Sequence, residues 1–321
     1  MKLKIMFHDQ CFDGAASASL FARFYREVVD ASAAIEFVGK RHARGPVFDD
    51  GDFTADDHVV LDFRYVADPR LGWWIDHHVS AFSSAADVEH FRTRPRDHFF
   101  YDAHARSCAG LIVRSLVGTW GWDAGNYDEL LRWAEIIDGA QFTSAAQATS
   151  LTEPALRLAA FVEHNTSPEL TTRLCEQLSL RPLADLARET WIDPVVEAVA
   201  AQQRMSEALI APRIRVDSGV ALVDLGDEGC AYNKFSPYKL APDAAYVVTV
   251  SAAHGTAKVS VGINPWHRPA SPHHIATLCE RYGGGGHAVV GAVTLPAATP
   301  TVLAEARAIA DEMVAQLRKD P

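Results

Sequence analysis

Residues 1–180 alternate short apolar runs with longer helical patterns, and this alternation constrains the fold of the chain more than any other feature. Strand-like runs cover residues 2–7, 35–38, 59–61 and 73–75, and helical patterns cover 14–26, 102–116, 127–137, 154–162 and 168–178. Strands that alternate with helices form a parallel sheet with helices on both of its faces. We therefore predict an α/β amino-terminal domain over residues 1–182.

The sequence changes character after residue 182. Residues 183–210 form a long amphipathic stretch, broken only at Pro194, which predicts a helical connector. In residues 211–321, strand-like runs at 214–216, 220–223, 245–250 and 257–263 are followed by helical patterns at 272–282 and 301–317. This pattern is typical of a smaller α/β domain with a mixed sheet. A chain of 321 residues with 48% hydrophobic residues has enough apolar material for two such domains.

Charge and composition exclude several classes of partner. The formal net charge of −11 argues against long duplex nucleic acid, which needs a basic surface, but permits a short phosphorylated ligand beside a bound cation. No apolar run reaches the ~20 residues of a membrane span, and residues 1–7 lack the features of a signal peptide. The five cysteines form no CxxC pair, which favours a reducing cytoplasm. The oligomeric state stays open, and a homodimer is compatible with the sequence.

Four clusters of acidic and histidine residues follow predicted strands or helices. They are residues 8–14, Asp62, Asp76-His77-His78 and Asp138. The carboxyl ends of parallel strands form the edge of a sheet at which ligands bind. Each residue alone has a structural explanation, such as Asp13 as a helix N-cap, but their joint occurrence favours a metal site. Carboxylates and imidazoles without paired thiolates suit manganese, magnesium or iron better than structural zinc.

These motifs resemble the DHH phosphoesterase superfamily, which is named after the Asp-His-His sequence found here at residues 76–78. Residues 283–291 are similar to the glycine-rich signature of the DHH-associated carboxy-terminal domain. The resemblance implies two divalent cations, usually Mn²⁺, with Mg²⁺ or another divalent ion as alternatives. It implies that His8 binds the first cation, Asp13, His77 and Asp138 bind the second, and Asp62 bridges both. It also implies that Asp76 orients an imidazole and that His78 contacts the scissile phosphate or its leaving oxygen.

The resemblance also predicts substrate contacts and shows two departures. Phosphate-binding residues are predicted at Gly284, Gly285, Gly286 and His287. Family members often carry an arginine on the preceding strand, which is absent here, so Arg268 and Asn264 are the candidates for that contact. Cys11 stands where the family has its first aspartate, which leaves open whether Cys11 or Asp9 supplies that ligand.

The activity that the resemblance implies is hydrolysis of a phosphoester in a short oligonucleotide or small nucleotide, by water that two cations activate. Hydrolysis of a phosphoanhydride, such as pyrophosphate or polyphosphate, is an alternative that a panel of substrates would separate. A third interpretation is a non-catalytic nucleotide-binding sensor that has lost one cation site because Cys11 replaces the usual aspartate. Counting the metal ions in the purified protein distinguishes the sensor from an enzyme.

Overall fold

Two compact units make up the chain. The computed structural model describes residues 1–319 except 43, 44, 46, 126, 227, 229, 254, 297 and 298. The first unit comprises Met1–Gln141 and Leu151–Glu197, and the second comprises Phe142–Ser150 and Ala198–Pro321. The predicted domain boundaries after residues 182 and 210 stay a prediction. No pattern in the sequence indicated that the short segment Phe142–Ser150 belongs with the second unit.

The first unit contains a parallel sheet of five strands. They are β1 (Lys2–His8), β2 (Ala34–Lys40), β3 (Asp57–Leu61), β4 (Trp73–Asp76) and β5 (Phe99–Tyr101). Their order in the sheet is β2-β1-β3-β4-β5, and every neighbouring pair is parallel. The predicted parallel sheet is therefore confirmed. The pattern did not predict β5, because three residues are too few to show a period.

Helices are numbered along the chain, and α5 belongs to the second unit. Those of the first unit are α1 (Phe12–Phe24), α2 (Ala85–Arg92), α3 (Cys108–Trp120), α4 (Asp128–Asp138), α6 (Pro154–His164), α7 (Pro168–Gln177) and α8 (Leu183–Leu186). A π-helical turn, Tyr25–Val29, extends α1. Residues 183–210 contain α8 and α9 (Asp193–Ile210) rather than one helix. Pro194 lies in the first turn of α9, where its missing N–H costs no hydrogen bond.

Two adjacent tryptophans show how helices cover both faces of this sheet. Successive side chains of a strand point to opposite faces. The Trp73 ring packs against Phe21 and Phe24 of α1, with centroid separations of 5.4 and 5.8 Å. The Trp74 ring packs against Phe91 of α2 at 5.3 Å. Both faces are therefore apolar, which explains why the buried parallel strands read as continuous hydrophobic runs.

The starts of two helices differ from the prediction. Helix α1 begins at Phe12 with Cys11 as its N-cap, so the prediction of Asp13 as the N-cap of α1 is wrong. Helix α3 begins at Cys108 rather than after Asp102, because the Ser107 hydroxyl accepts a hydrogen bond from Gly110 N at 3.0 Å and caps that helix.

The second unit contains a mixed sheet of six strands. They are β6 (Ile214–Asp217), β7 (Val220–Asp224), β8 (Tyr246–Ala253), β9 (Thr256–Ile263), β10 (Gly285–Gly286) and β11 (Val290–Leu295). The order is β10-β11-β9-β8-β7-β6, with β7 and β8 parallel and the other pairs antiparallel. Its helices are α5 (Ala145–Ala148), the part of α9 from Ala198 on, α10 (Ser236–Leu240), α11 (Ile275–Glu280) and α12 (Pro300–Leu317). The predicted mixed-sheet α/β architecture is confirmed.

Both faces of this second sheet are also buried. Val248 belongs to a cluster that includes Leu303 and Met313 of α12, whereas the adjacent Val247 packs in a second cluster with Ile210 of α9. Each unit therefore has its own hydrophobic core. Within the described residues, no helix combines the length and apolarity that crossing a bilayer requires.

Candidate metal centre

The candidate site residues of the first unit gather at the carboxyl edge of its parallel sheet. His8 ends β1, Asp62 directly follows β3, and Asp76 ends β4. These three strands are neighbours in the order β1-β3-β4. His77, a predicted ligand, directly follows Asp76. Two further predicted ligands come from helices, with Asp13 in the first turn of α1 and Asp138 as the last residue of α4. The edge that the sequence pattern indicated is thus the place where these side chains meet.

Asp62 lies at the middle of this cluster and is fully buried. Its Oδ2 is 3.4 Å from His8 Nδ1, and its Oδ1 is 3.5 Å from His77 Nε2. Neither carboxylate oxygen has a hydrogen-bond partner among the described residues. Burial raises the pKa of Asp62, but the close imidazoles of His77 and His8 outweigh burial and lower it to about 2. The residue is therefore an anion, and each of its two oxygens faces an imidazole nitrogen.

His77 is oriented so that one ring nitrogen faces three carboxylates. Its Nδ1 lies 3.0 Å from the carbonyl oxygen of Ala105, to which it can donate its proton. Its Nε2 then lies 3.7, 3.5 and 3.6 Å from oxygens of Asp13, Asp62 and Asp138. Ligand atoms that are each ~2.1 Å from one cation lie ~3–3.5 Å from one another. Because a backbone carbonyl accepts the Nδ1 proton, Nε2 is the ring nitrogen that would bind a metal, once any proton on it has been displaced.

Asp13 connects the centre to the start of a second helix. Its Oδ2 and Oδ1 accept hydrogen bonds from Cys108 N at 2.6 Å and Ala109 N at 3.0 Å, at the amino end of α3. A helix amino end stabilises a carboxylate. The same Oδ2 is the atom nearest to His77. Asp13 therefore caps α3 rather than its own helix, and its position depends on a contact 95 residues away in sequence.

Asp76 contacts His78 as an orienting carboxylate would. Its Oδ1 is 2.7 Å from His78 Nδ1 and accepts a hydrogen bond from His77 N at 2.8 Å. The hydrogen bond to Asp76 raises the pKa of His78. The His78 side chain is 35% exposed, compared with 9% for His77. Of the two adjacent imidazoles, His78 is thus the one accessible to a substrate.

The carboxylates of the cluster repel one another. Burial, and then the charges of Asp62 and Asp138, raise the pKa of Asp13 well above its usual value. Burial also raises the pKa of Asp138 and of the Cys11 thiol. Bound divalent cations would relieve this repulsion, since a metal ion is often the largest local charge in its site. The donors and the unpartnered buried atoms therefore fit divalent metal ions.

The potential ligands fall into three groups, in each of which the donor atoms lie within 4.8 Å of one another. They are His8, Cys11 and Asp62; Asp62, His77 and His78; and Asp13, His77 and Asp138. Asp62 is shared by the first two groups and His77 by the last two. One carboxylate, Asp62, can therefore supply ligand atoms to two of the three groups, and one imidazole, His77, links the second group to the third.

Strained backbone occurs beside the same residues. Gln10, Asp62 and Ala140 have positive φ angles of 57°, 54° and 50°. Such conformations cost free energy in non-glycine residues and concentrate at functional sites. Gly14 is restricted sterically instead, because a Cβ at this position would lie 2.2 Å from the carbonyl oxygen of His8. The turn between β1 and α1 therefore brings the two elements so close together that only glycine fits at position 14.

Sequence reasoning missed two parts of this centre. The His42 ring stacks on Phe63 with a centroid separation of 4.6 Å and lies 4.9 Å from the His8 ring. His42 follows β2 without any motif, so no signal pointed to it. The carbonyl oxygen of Ala105 was also missed, because every residue has a backbone carbonyl and a sequence pattern cannot show which one contacts a site.

The predicted substrate-binding residues lie in the second unit. Gly284 and Gly286 pack against β11, where a Cβ would lie 2.3 Å from the carbonyl oxygens of Ala292 and Val290, respectively. A Cβ on Gly285 would meet no atom within 4 Å, and the neighbouring His287 is exposed. Glycine is thus required at two of these positions by packing. The predicted phosphate contacts stay a prediction.

The two candidates for the missing arginine differ in their surroundings. Asn264 is buried, and its side chain donates to Pro242 O at 3.0 Å and Ala244 O at 2.8 Å and accepts from Trp266 N at 3.0 Å. These bonds favour a structural role for Asn264. Arg268 is exposed, and its substrate contact stays a prediction.

Comparisons with known proteins give fold-level similarity. No protein-family model matches the sequence, and no curated protein matches it. The structure is similar to that of a pGpG-specific phosphodiesterase, PggH from Vibrio cholerae, with a TM-score of 0.69 and 19% identity over 98% of this chain and 99% of that chain. The DHH domain of a protein described as a member of a ribosomal-protein family has a TM-score of 0.56 and 14% identity, over 99% of this chain and 87% of that one.

RecJ from Thermus thermophilus in complex with Mn²⁺ is a further structural neighbour. Its TM-score is 0.54 with 12% identity, and the match covers 100% of this chain and 53% of RecJ. The Mg²⁺ complex of the same protein matches with a TM-score of 0.51. At these identities the similarity shows the fold. The fold expected from the Asp76-His77-His78 motif is thereby confirmed, because the chain shares its fold with these proteins, one of which is described as a DHH domain.

Proposed function

We propose that this protein is a metal-dependent phosphoesterase that hydrolyses a phosphoester of a short oligonucleotide or small nucleotide. The observation that carries the proposal is that His8 and His77 face the unpartnered carboxylate of Asp62, while Asp13 and Asp138 face the same nitrogen of His77. The fold shared with a phosphodiesterase and with RecJ supports it.

Two divalent cations belong to the proposal. His8 and Asp62 would hold the first, and Asp13, His77 and Asp138 would hold the second with Asp62 as the bridge. Manganese is the proposed metal and magnesium the alternative, consistent with the oxygen and imidazole donors and with the two RecJ complexes. When bound, such cations lower the pKa of water towards ~7 and offset charge on phosphoryl oxygens.

The residues of the chain would perform the remaining tasks. Asp76 Oδ1 fixes the His78 ring and holds a proton at its Nδ1. His78, which is the more exposed imidazole, would contact the scissile phosphate or donate a proton to the leaving oxygen. Burial of Asp62 and His77 keeps bulk water from competing for the ligand atoms.

We propose a short substrate because the protein carries a large negative net charge. A net charge of −11 disfavours a long polyanion, whereas a local cation pair can still bind one or two phosphates. PggH is described as specific for pGpG, which makes a linear dinucleotide the first substrate to test. We extend the proposal to a phosphate contact from Gly285 and His287 and to a cytoplasmic location.

A substrate panel tests this function. With Mn²⁺, the purified protein should hydrolyse linear pGpG, a di- to pentanucleotide or 3′,5′-bisphosphorylated adenosine faster than pyrophosphate or a long single strand, and EDTA should abolish the reaction. Asp62→Asn should lower turnover by about 10² or more. Asparagine tolerates the positive φ at this position, so the fold should survive. Asp311→Asn, an exposed position on α12, is the matched control and should have no effect.

Two results would redirect or end the proposal. Preferential hydrolysis of pyrophosphate would assign the protein to phosphoanhydrides. Turnover that persists in EDTA or in Asp62→Asn would remove the metal centre from the mechanism.

A further inference from the structure

The sequence left open which residue replaces the first aspartate of the metal-binding motif, with Cys11 and Asp9 as candidates. The two side chains lie on either side of Gln10, whose φ of 57° makes the turn after β1 tight. The answer decides what kind of cation the first position prefers, because a thiolate and a carboxylate differ in softness.

The carboxylate of Asp9 is already occupied. Its Oδ2 accepts a hydrogen bond from Arg41 Nε at 2.7 Å, and its Oδ1 accepts one from Gln10 N at 2.9 Å. Its side chain also packs against Gly39 of β2, where a Cβ would lie 2.7 Å from Asp9 Cγ. Asp9 therefore holds the loop to β2 and has no oxygen left without a partner.

Cys11 lies instead among atoms that lack partners. Its Sγ is within 4.8 Å of ligand atoms of His8 and Asp62, which are within the same distance of each other. His8 Nδ1 and both oxygens of Asp62 have no hydrogen-bond partner in the described part of the chain, and Asp62 is fully buried. These unpartnered donors indicate a ligand position independently of the cysteine.

We propose that Cys11 Sγ is a ligand of the first cation, so that this position is a mixed imidazole, carboxylate and thiolate site. The inference rests on the proposed function, since it assumes that the centre binds metal. On binding, the S–H bond breaks, a sulfur–metal bond forms, and the proton leaves to solvent. A thiolate ligand favours borderline and soft ions such as Fe²⁺, Co²⁺ or Zn²⁺ over Mg²⁺. The first position then differs in metal preference from the second, whose donors are oxygens and an imidazole.

Cobalt spectroscopy of the full-length protein tests the inference directly. Co²⁺ bound to a thiolate absorbs in the near ultraviolet through sulfur-to-cobalt charge transfer, whereas oxygen and nitrogen ligands give no such band. Wild-type protein loaded with Co²⁺ should show this band, and Cys11→Ser and Cys11→Asp should lose it. Cys230→Ser, a partly exposed cysteine of the second unit, is the matched control and should keep it.

A competition titration provides a second readout. Cys11→Asp should shift the ratio of Co²⁺ to Mg²⁺ affinity towards Mg²⁺ by about tenfold or more, because a carboxylate is the harder ligand. Circular dichroism establishes that each variant is folded. If Cys11→Ser does not fold, Cys11→Asp decides the question, since it restores the residue of the common motif.

The outcomes separate this inference from the proposed function. Wild-type protein that binds two Co²⁺ ions and hydrolyses substrate without the charge-transfer band would overturn the thiolate ligand alone. A band that persists in both Cys11 variants would do the same. Wild-type protein that binds no metal and hydrolyses nothing would overturn both.

Discussion

The Nε2 atom of His77 lies 3.5 Å from Oδ1 of Asp62, and neither atom has a hydrogen-bond partner within the described residues. Buried polar atoms are normally paired, so two facing atoms without partners are exceptional. Their separation suits two ligands of one cation better than a direct hydrogen bond. A metal ion bound between these two atoms is therefore the most direct test of the metal hypothesis.

Substitution of Asp138 should weaken metal binding without lowering the stability of the metal-free protein. Burial raises the pKa of this carboxyl, so its charged form is unfavourable in the metal-free fold. Asp138→Asn should leave the melting temperature without metal unchanged or slightly higher. The same variant should weaken Mn²⁺ binding by more than ~10-fold and reduce the thermal stabilisation that Mn²⁺ gives. Thermal unfolding with and without Mn²⁺ measures both effects, and equal stabilisation of variant and wild type would exclude Asp138 as a ligand.

Metal uptake should release protons at neutral pH. Burial lowers the pKa of His77, but its contact with Asp62 and its hydrogen bond to Ala105 outweigh burial and raise the pKa to about 10. Without metal, His77 is therefore protonated at neutral pH, and a cation must displace that proton from Nε2. Calorimetry in buffers of different ionisation enthalpy measures the release, which should decline as the pH rises through about 10. Binding without proton release at neutral pH would contradict the assignment of His77.

The same pKa shift affects the stability of the metal-free protein. A histidine whose folded pKa lies above its unfolded value of ~6.5 contributes stability that is complete below ~6.5. That contribution is lost as the pH rises through the folded pKa of about 10. Mn²⁺ should remove this part of the pH dependence, because the metal replaces the proton.

Much of this centre could be predicted from the sequence because its parts are local. Asp62 and Asp76 end short apolar runs, and the carboxyl ends of neighbouring parallel strands share one edge. Knowing the motif order was therefore enough to expect His8, Asp62 and His77 near one another.

The remaining parts depend on contacts between distant residues, which no local pattern contains. Asp13 looked like the cap of its own helix, yet it accepts hydrogen bonds from Cys108 N and Ala109 N of α3. Strand β11 was not predicted, because it is recognised by its hydrogen bonds to β9 rather than by its own sequence pattern. Strand β10 consists of two glycines and is recognised by its pairing with β11. The stacking of His42 on Phe63 likewise depends on the path of the chain after β2.

Asp76 and His78 should act as one unit in turnover. Because Asp76 Oδ1 holds His78 Nδ1 at 2.7 Å, removing either partner should leave the imidazole poorly oriented. His78→Asn should lower kcat by about 10²–10⁴, Asp76→Asn should lower it less, and the double variant should match His78→Asn. Mn²⁺ affinity should fall by less than ~10-fold in each variant. Additive losses in a double-mutant cycle would show that the two residues act independently.

Gly14 should be indispensable for the geometry of the turn after β1. A Cβ at this position would lie 2.2 Å from the carbonyl oxygen of His8, so β1 and α1 must separate to accept alanine. Gly14→Ala should cost about 1–3 kcal/mol in the free energy of unfolding and weaken metal binding at His8. Gly118→Ala, an exposed position in α3 with no atom within 4 Å of the added Cβ, is the matched control. It should be neutral or stabilise by up to about 1 kcal/mol. Equal effects of the two substitutions would contradict the steric argument.

The central claim is that side chains from β1, α1, β3, β4 and α4 hold two cations with Asp62 between them. Anomalous diffraction from crystals grown with Mn²⁺ measures this directly. The account predicts two anomalous peaks ~3.5–4 Å apart, each within bonding distance of Asp62, one beside His8 and the other beside His77. Crystals that contain Mn²⁺ but show no anomalous peak at Asp62 would contradict it.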